Sequence, residues 1–165
     1  MSLGRGPKKA DAQKLELEGP LVFLRFSVPA MASYRRRKDP VTGKMREDKS
    51  APPLMKVIGY YTAGSNPNWT RKKEYEAWKD HVRQHTPREL LAWRANTPGQ
   101  RLVVNVQPYY FNHTHPDAEN VRKSIVDAIC TGGDKWVAGM VSFPRYDPAA
   151  PRVEVEVFYP KPVGR

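Results

Sequence analysis

The chain has 165 residues, of which 39% are hydrophobic and 10% aromatic, enough for the core of one domain. It contains no run of roughly 18 apolar residues that could span a membrane, and residues 1–19 are polar where a signal peptide is apolar. Lysine and arginine number 28 against 17 acidic residues, and the net charge of +11 favours a nucleic-acid partner over a charge excess that only keeps the protein soluble.

Composition also predicts how the chain is organised. We expect residues 1–19 to form a disordered N-terminal tail and residues 20–165 to form a single domain. Cys130 is the only cysteine, so an intramolecular disulfide is impossible and a reducing, cytoplasmic location is expected. Its place on the apolar side of a predicted helix favours a small buried side chain over a reactive thiol.

The domain is predicted to open with a strand. Leu21–Pro29 is rich in β-forming residues and ends at a proline. The basic run Arg35, Arg36, Arg37 and Lys38 follows. Segment 39–56 is dense in proline, glycine and charged residues, which predicts a mobile surface loop. Residues 56–62 are a candidate for a short strand.

A long helix is predicted next, with Thr70 as its N-cap and Pro87 as the residue that ends it. Tyr75, Trp78 and Val82 recur at helical spacing, so they would form the buried face of this helix.

The second half of the chain alternates strands and helices. Residues 89–95 are a candidate helical turn, and Arg101–Phe111 is the clearest strand because its apolar residues alternate. A helix is predicted at 118–130, and strands are predicted at 135–144 and 152–160. This order favours one compact α+β domain in which helices pack on a single mixed sheet.

The segment HTHPDAENVRKSIVDAIC, residues 113–130, concentrates polar chemistry at the start of the predicted helix. Asp117 follows a proline and is the expected N-cap. One side of the helix is apolar and would face the core, through Val121, Ile125, Ala128 and Ile129. A polar stripe on the other side is formed by Glu119, Lys123 and Asp127.

These residue types suit phosphodiester hydrolysis. The carboxylates of Asp117 and Glu119 are expected to meet where the chain enters the helix, and Mg²⁺ prefers such oxygen ligands. Lys123 lies one turn further and would stabilise the charge of the reacting phosphate. The structural alternative is that Asp117 only caps the helix and that Glu119 and Lys123 form a surface ion pair. His113 and His115 would suit Zn²⁺, although the sequence shows no clear third ligand.

At these residues the sequence resembles the RusA family of Holliday-junction resolvases. The family pattern D-x-D-N-x-x-K-x-x-x-D-A-L stands here as DAENVRKSIVDAI. In the family a W-x-D-D follows after a short gap, and in this chain only its tryptophan has a counterpart. The matching positions are Asp117, Glu119, Asn120, Lys123, Asp127 and Trp136. The order of strands, basic stretch and helices over residues 20–160 agrees with the family and implies a RusA-like domain.

The resemblance implies a homodimer that binds four-way DNA junctions. Each subunit would nick one of two opposed strands with Mg²⁺ or Mn²⁺ held by acidic residues. Asp117 and Glu119 are the implied metal ligands, Lys123 the implied catalytic lysine, and Asp127 a supporting acid that positions Lys123.

The chain departs from the family pattern in its acidic residues. Glu119 replaces an aspartate, and Ala138 and Gly139 stand where the family has its acidic pair. Asp134 could replace this pair as a metal ligand only if the turn at 131–136 is reshaped, because four residues of extended chain span roughly 13 Å. His115 is the other candidate. The alternative function is therefore a RusA-like DNA-binding protein with weak or lost nuclease activity.

Two basic clusters are the candidate contacts to DNA phosphates: Arg35, Arg36, Arg37 and Lys38, and then Arg71, Lys72 and Lys73. Tyr34 and Trp69 beside them could stack on unpaired bases. The alternative is a solvated basic surface with aromatic residues in the core. Contacts of this kind would carry little sequence information, because phosphates are alike.

Overall fold

The computed structural model describes residues 16–162. Residues 1–15, which hold most of the predicted N-terminal tail, lie outside the described residues. The described elements are β1 (Leu21–Pro29), β2 (Met31–Ser33), β3 (Arg36–Lys38), β4 (Met45–Glu47), β5 (Leu54–Lys56), α1 (Trp69–His85), α2 (Arg88–Asn96), β6 (Leu102–Tyr110), α3 (Ala118–Ile129), β7 (Val137–Ala138), β8 (Arg145–Tyr146) and β9 (Arg152–Pro160).

A five-stranded mixed sheet forms the centre of the fold, so the predicted α+β class is confirmed. Strand β9 lies between β1 and β6 and is antiparallel to both, while β7 and β8 pair with β6 in parallel. The alternation predicted for β9 is confirmed, since Val153, Val155 and Val157 are fully buried. Helix α1 contacts β1 and α3 contacts β6, which closes the core over this face.

Helix α1 packs against α3. Its buried residues are those predicted, Tyr75, Trp78 and Val82. The prediction of Thr70 as the N-cap is wrong. The N-cap is Asn68, whose side chain accepts a hydrogen bond from the amide of Arg71, and the helix begins one residue before Thr70. The indole of Trp78 donates to Ser124 of α3 over 3.0 Å, and the two helices pack through this buried contact.

The segment predicted as a loop, 39–56, contains regular structure instead. Strands β3 and β4 pair as an antiparallel hairpin, and β5 pairs with β2. Asp39 organises the hairpin turn because its carboxylate accepts from the amides of Val41 and Thr42. The prediction of a strand at 56–62 is also wrong, because β5 ends at Lys56. The residues after it lie against α3, where the amide of Tyr60 donates to the carbonyl of Asn120.

The strand predicted at 135–144 is mostly absent from this region. Only Val137–Ala138 and a single bridge at Val141 pair with β6. The backbone at Gly139 takes a φ of 143°, which β-strands do not adopt, so the pairing is interrupted there.

Cys130 ends α3 and is buried, as predicted. Within residues 16–162, no helix is both long and apolar enough to cross a bilayer.

Candidate active site and DNA-binding surface

Asp117 is held firmly at the N-terminus of α3. Its carboxylate accepts a 2.8 Å hydrogen bond from the amide of Glu119, so the predicted N-cap is confirmed. The preceding turn is fixed because the hydroxyl of Tyr110 donates to the carbonyl of Pro116 over 2.9 Å. Gly59 packs on this turn so closely that a Cβ there would lie 2.8 Å from Pro116. The exposed Asp117 carboxylate therefore has a defined position.

Lys123 lies one helical turn beyond Glu119 and is also exposed. Its ammonium group sits over the ring of Tyr60, 4.2 Å from the centroid. This cation–π contact holds the amine beside the stripe without neutralising it. The Lys123 amine is therefore held on the ring of Tyr60, one turn along α3 from Glu119.

Asp127 ties α3 to α1. Its carboxylate accepts a 2.6 Å hydrogen bond from the hydroxyl of Tyr75 and lies 3.6 Å from the amine of Lys79. Burial, and then the bond to Asp127, raises the pKa of Tyr75 well above its usual value, so the hydroxyl stays protonated. The ring of Tyr75 meets that of Tyr60 edge-on at 5.8 Å. Asp127 thus reaches Lys123 indirectly, through this pair of rings.

His115 belongs to an aromatic cluster. Its ring stacks on Tyr110 with centroids 3.7 Å apart. Nδ1 donates to the carbonyl of Pro116, because a carbonyl can only accept, and Nε2 forms a second hydrogen bond with the hydroxyl of Tyr146 at 3.0 Å. The ring of His113 lies 4.3 Å from that of Tyr146. Both nitrogens of His115 are thus engaged, and metal binding by His115 stays a prediction that would require Tyr146 to move.

The backbone leaves no room for an acidic side chain at Gly139, the second of the two positions where the family pattern has acidic residues. A Cβ at Gly139 would lie 1.8 Å from the carbonyl oxygen of Val104, so the backbone closes directly on β6. The amide of Val106 bonds to the carbonyl of Met140, which fixes this approach. Ala138 is half-buried in β7. The structure therefore explains why a side chain is excluded at position 139, whereas Ala138 carries one.

A guanidinium group occupies the space beside Gly139. The Nε of Arg122 donates to the carbonyl of Val104 over 3.0 Å. Its Nη2 is buried, lies 3.1 Å from the Cβ position of Gly139, and has no hydrogen-bond partner among residues 16–162. Burial lowers the pKa of Arg122, while the nearby Glu119 and Asp134 oppose that shift. Sequence reasoning missed Arg122, whose only signal was a basic residue next to the polar stripe.

Asp134 is brought to the far end of the stripe. Its turn is compact, because the amide of Gly133 bonds to the carbonyl of Cys130 and that of Val137 to the carbonyl of Asp134. The side chain shares a small cavity of about 110 Å³ with Lys123 and Asp127. The turn is compact rather than extended, and it places Asp134 beside Lys123 and Asp127. Asp117 lines a different cavity.

The donor set at the start of α3 suits a hard cation that shares its shell with the substrate. Within residues 16–162, no three histidine, cysteine, aspartate or glutamate side chains converge on a metal position. Mg²⁺ is commonly held by one or two carboxylates together with water and phosphate oxygens. Asp117 and Glu119 could supply the carboxylates of such a site. A structural zinc site needs four protein ligands, so this set does not fit one.

A cavity of about 400 Å³ opens beside Asp117, and we call it the Asp117 cavity. It lies between residues 55–61, the first turns of α1 and the turn at 111–117. Among its polar and aromatic walls are Lys56, Tyr61, Arg71, Asn112, His115 and Asp117.

The two predicted basic clusters form one surface next to this cavity. Arg36 in the β3–β4 hairpin donates to the hydroxyl of Thr70 in the first turn of α1. The exposed cations thus brought together are Arg35, Arg36, Arg37, Lys38, Arg71, Lys72 and Lys73. The exposed Trp69 lies among them, with Lys72 over its ring at 4.9 Å. Such a surface can bind several phosphates at once.

Comparison with protein families matches residues 51–158, more than half of the chain, to the model described as endodeoxyribonuclease RusA. The matched region runs from just before β5 into β9 and includes the polar stripe and Asp117. A comparison with curated proteins finds no match for the chain.

Proposed function

The chain belongs to the RusA endodeoxyribonuclease family, and we propose that it cuts four-way or otherwise branched DNA by metal-dependent hydrolysis of phosphodiester bonds. The observation that carries this proposal is the fixed, exposed Asp117 carboxylate, which begins the helix that carries Glu119 and Lys123 and lines one cavity with Arg71 of the basic surface. A DNA strand held by the basic surface would bring a phosphate to the first turn of α3, where both signs of charge needed for hydrolysis are present.

Each residue of the stripe has a distinct proposed role. Asp117 and Glu119 would hold Mg²⁺ or Mn²⁺, which when bound supplies charge neutralisation and an activated water. Lys123, held on the ring of Tyr60, would stabilise the negative charge on the reacting phosphate. Asp127 would act as a positioning residue, because its bond to Tyr75 fixes the ring pair on which Lys123 rests. Asp134 remains a further candidate ligand near Lys123.

The basic surface would supply affinity for DNA rather than sequence preference. Its arginine and lysine side chains are exposed and would neutralise backbone phosphates, which releases counterions and makes binding fall with added salt. The hairpin and α1 present these charges next to each other, because Arg36 of the hairpin donates to Thr70 of α1.

We expect a homodimer, since a four-way junction has two-fold symmetry and paired nicks need two sites. The sheet offers a surface for such contact, because Phe23 is 52% exposed and packs on Phe158 on the side of the sheet away from Val157. A DNA substrate and a lone buried cysteine support a cytoplasmic location.

A second candidate function is junction binding without hydrolysis. The observation that favours it is the Arg122 guanidinium beside Gly139, where the family pattern has acidic residues. A positive charge at that point repels a divalent cation, whereas it would still tolerate a phosphate. This alternative keeps the basic surface and dispenses with the metal.

The experiment that separates these functions uses a four-way junction with each strand labelled in turn, beside a linear duplex of the same sequence. The proposal predicts symmetric paired nicks in the junction with Mg²⁺ or Mn²⁺, none with EDTA, and little cutting of the duplex. Tight junction binding without nicks in either metal would leave the second candidate. Equal binding to junction and duplex would contradict both.

A further inference from the structure

The Asp117 cavity is built like a site for a flat, polar ligand. Its volume of about 400 Å³ falls within the roughly 300–1,000 Å³ of small-molecule sites. One wall is the turn that ends at Asp117, so a ligand inside it lies next to the carboxylate assigned to hydrolysis. The opposite wall includes the first turns of α1, which belong to the basic surface.

A stacked pair of side chains lines the cavity. The guanidinium of Arg71 lies over the ring of Tyr61 at 4.9 Å from its centroid. The Tyr61 ring cannot swing away easily, because its hydroxyl accepts a 2.8 Å hydrogen bond from the amide of Asn68 at the start of α1. Aromatic rings and guanidinium planes are the surfaces on which proteins stack unpaired bases.

The charges of the lining favour an uncharged ligand. The cations Lys56 and Arg71 are matched by the carboxylates of Glu74 and Asp117, so the cavity has no excess of positive charge to hold a phosphate. Both ring nitrogens of His115 are already engaged, by the Pro116 carbonyl and the Tyr146 hydroxyl. Apart from Arg71, the cations of the basic surface lie outside the cavity lining.

Amide groups complete the lining. The side-chain oxygen of Asn112 accepts from the amide of Thr114, which orients its amide group. Asn120 also lines the cavity, and its backbone carbonyl is fixed by the amide of Tyr60. Side-chain amides offer paired donors and acceptors, which match the edges of nucleobases.

We infer that the Asp117 cavity takes one unstacked nucleobase of the DNA strand whose phosphate lies at Asp117. The base would stack on the Tyr61–Arg71 pair and meet the amides of Asn112 and Asn120 with its edge. Branched DNA lowers the cost of unstacking a base, because the continuous stacking of the duplex is broken at the branch point. This inference rests on the proposed function and gives it a reason to choose branch points over duplex.

The test is photo-crosslinking of the wild-type protein to four-way junctions that carry 5-iodouracil at successive positions around the branch point. The expected result is a crosslink to the peptide containing Tyr61 from one position adjacent to the nicked phosphate. Thr114→Trp, which fills the cavity, should abolish that crosslink and weaken junction binding about tenfold, the value of one lost base stack. Thr131→Trp is the matched control, since Thr131 is exposed and lies outside the cavity lining.

The outcomes separate this inference from the proposed function. Nicking of the junction without a Tyr61 crosslink at any position would overturn the inference and leave the nuclease intact. A crosslink that survives in Thr114→Trp would overturn it as well, because the base would then lie elsewhere. A protein that neither binds nor nicks the junction would contradict both.

Discussion

The hydroxyl of Tyr75 on α1 donates a 2.6 Å hydrogen bond to the carboxylate of Asp127 on α3. Tyr75 is buried, and the same carboxylate lies 3.6 Å from the Lys79 amine. This contact sets the orientation of α3 against α1 and, through the rings of Tyr75 and Tyr60, the place of Lys123. A residue of the polar stripe thus has a structural partner that its sequence pattern did not reveal.

Replacement of Asp127 should therefore cost stability. Asp127→Ala leaves the buried hydroxyl of Tyr75 without its acceptor, and we expect a loss of about 1–3 kcal/mol in the free energy of unfolding by urea. Tyr75→Phe removes the hydroxyl itself and leaves the partly exposed Asp127 carboxylate paired with Lys79, so it should cost only about 1 kcal/mol. Because Asp127 positions Lys123, Asp127→Ala should also slow nicking while junction binding stays intact. Unchanged stability with complete loss of nicking would instead place Asp127 in direct contact with the reacting atoms.

Gly139 cannot accept a side chain. Gly139→Ala would push a Cβ against the carbonyl of Val104 and keep a φ of 143°, so we expect a loss of about 3 kcal/mol or more in unfolding free energy. Gly64→Ala is the matched control, since nothing lies within 4 Å of a Cβ there. Equal melting temperatures for the two variants would show that the backbone at Gly139 is not fixed as described.

Arg122 should weaken metal binding at the proposed Asp117–Glu119 site, because its guanidinium lies within electrostatic reach of Glu119. Removing this positive charge is worth on the order of 1 kcal/mol, so Arg122→Gln should bind Mn²⁺ roughly fivefold more tightly. Mn²⁺ binding can be followed by electron paramagnetic resonance of the free ion. Arg145→Gln, at an exposed arginine on β8, serves as the control. Equal Mn²⁺ affinity in wild type and Arg122→Gln would place the metal away from this guanidinium.

The hairpin should contribute phosphate contacts. Arg37→Ala is expected to reduce the slope of log affinity against log salt by about 0.9 for a junction, the value of one phosphate contact. Arg25→Ala is closely matched: the two side chains are 78% and 68% exposed, and each pairs with one carboxylate, but Arg25 lies on β1 away from the hairpin. Equal slopes for the two variants in fluorescence anisotropy titrations would remove the hairpin from the DNA interface.

Local chemistry made part of this fold predictable. Strict alternation at Val153, Val155 and Val157 determined β9, because a strand buries every second residue. The N-cap at Asp117 was predictable from a carboxylate just before an amphipathic segment. The β3–β4 hairpin was missed because its strands are exposed and charged, so no apolar alternation marks them. Only the turn at Asp39 could have indicated it.

Long-range contacts account for what sequence reasoning missed at the site. Arg122 and Gly139 are distant in sequence and meet only because the backbone after β7 presses on β6. His115 stays a candidate metal ligand, but its partners Tyr110 and Tyr146 could not be predicted from the sequence. Tertiary packing determines such partners, and the sequence around a single residue does not reveal them.

The central claim is that the Asp117 carboxylate is part of a nuclease site, and the most direct test is the single-turnover nicking rate of a four-way junction by wild type and Asp117→Asn in Mg²⁺. Asparagine caps a helix about as well as aspartate, so the variant should keep its stability and junction affinity. The account predicts at least a roughly hundredfold slower rate, because one metal ligand loses its charge. Equal nicking rates in the two proteins would contradict it.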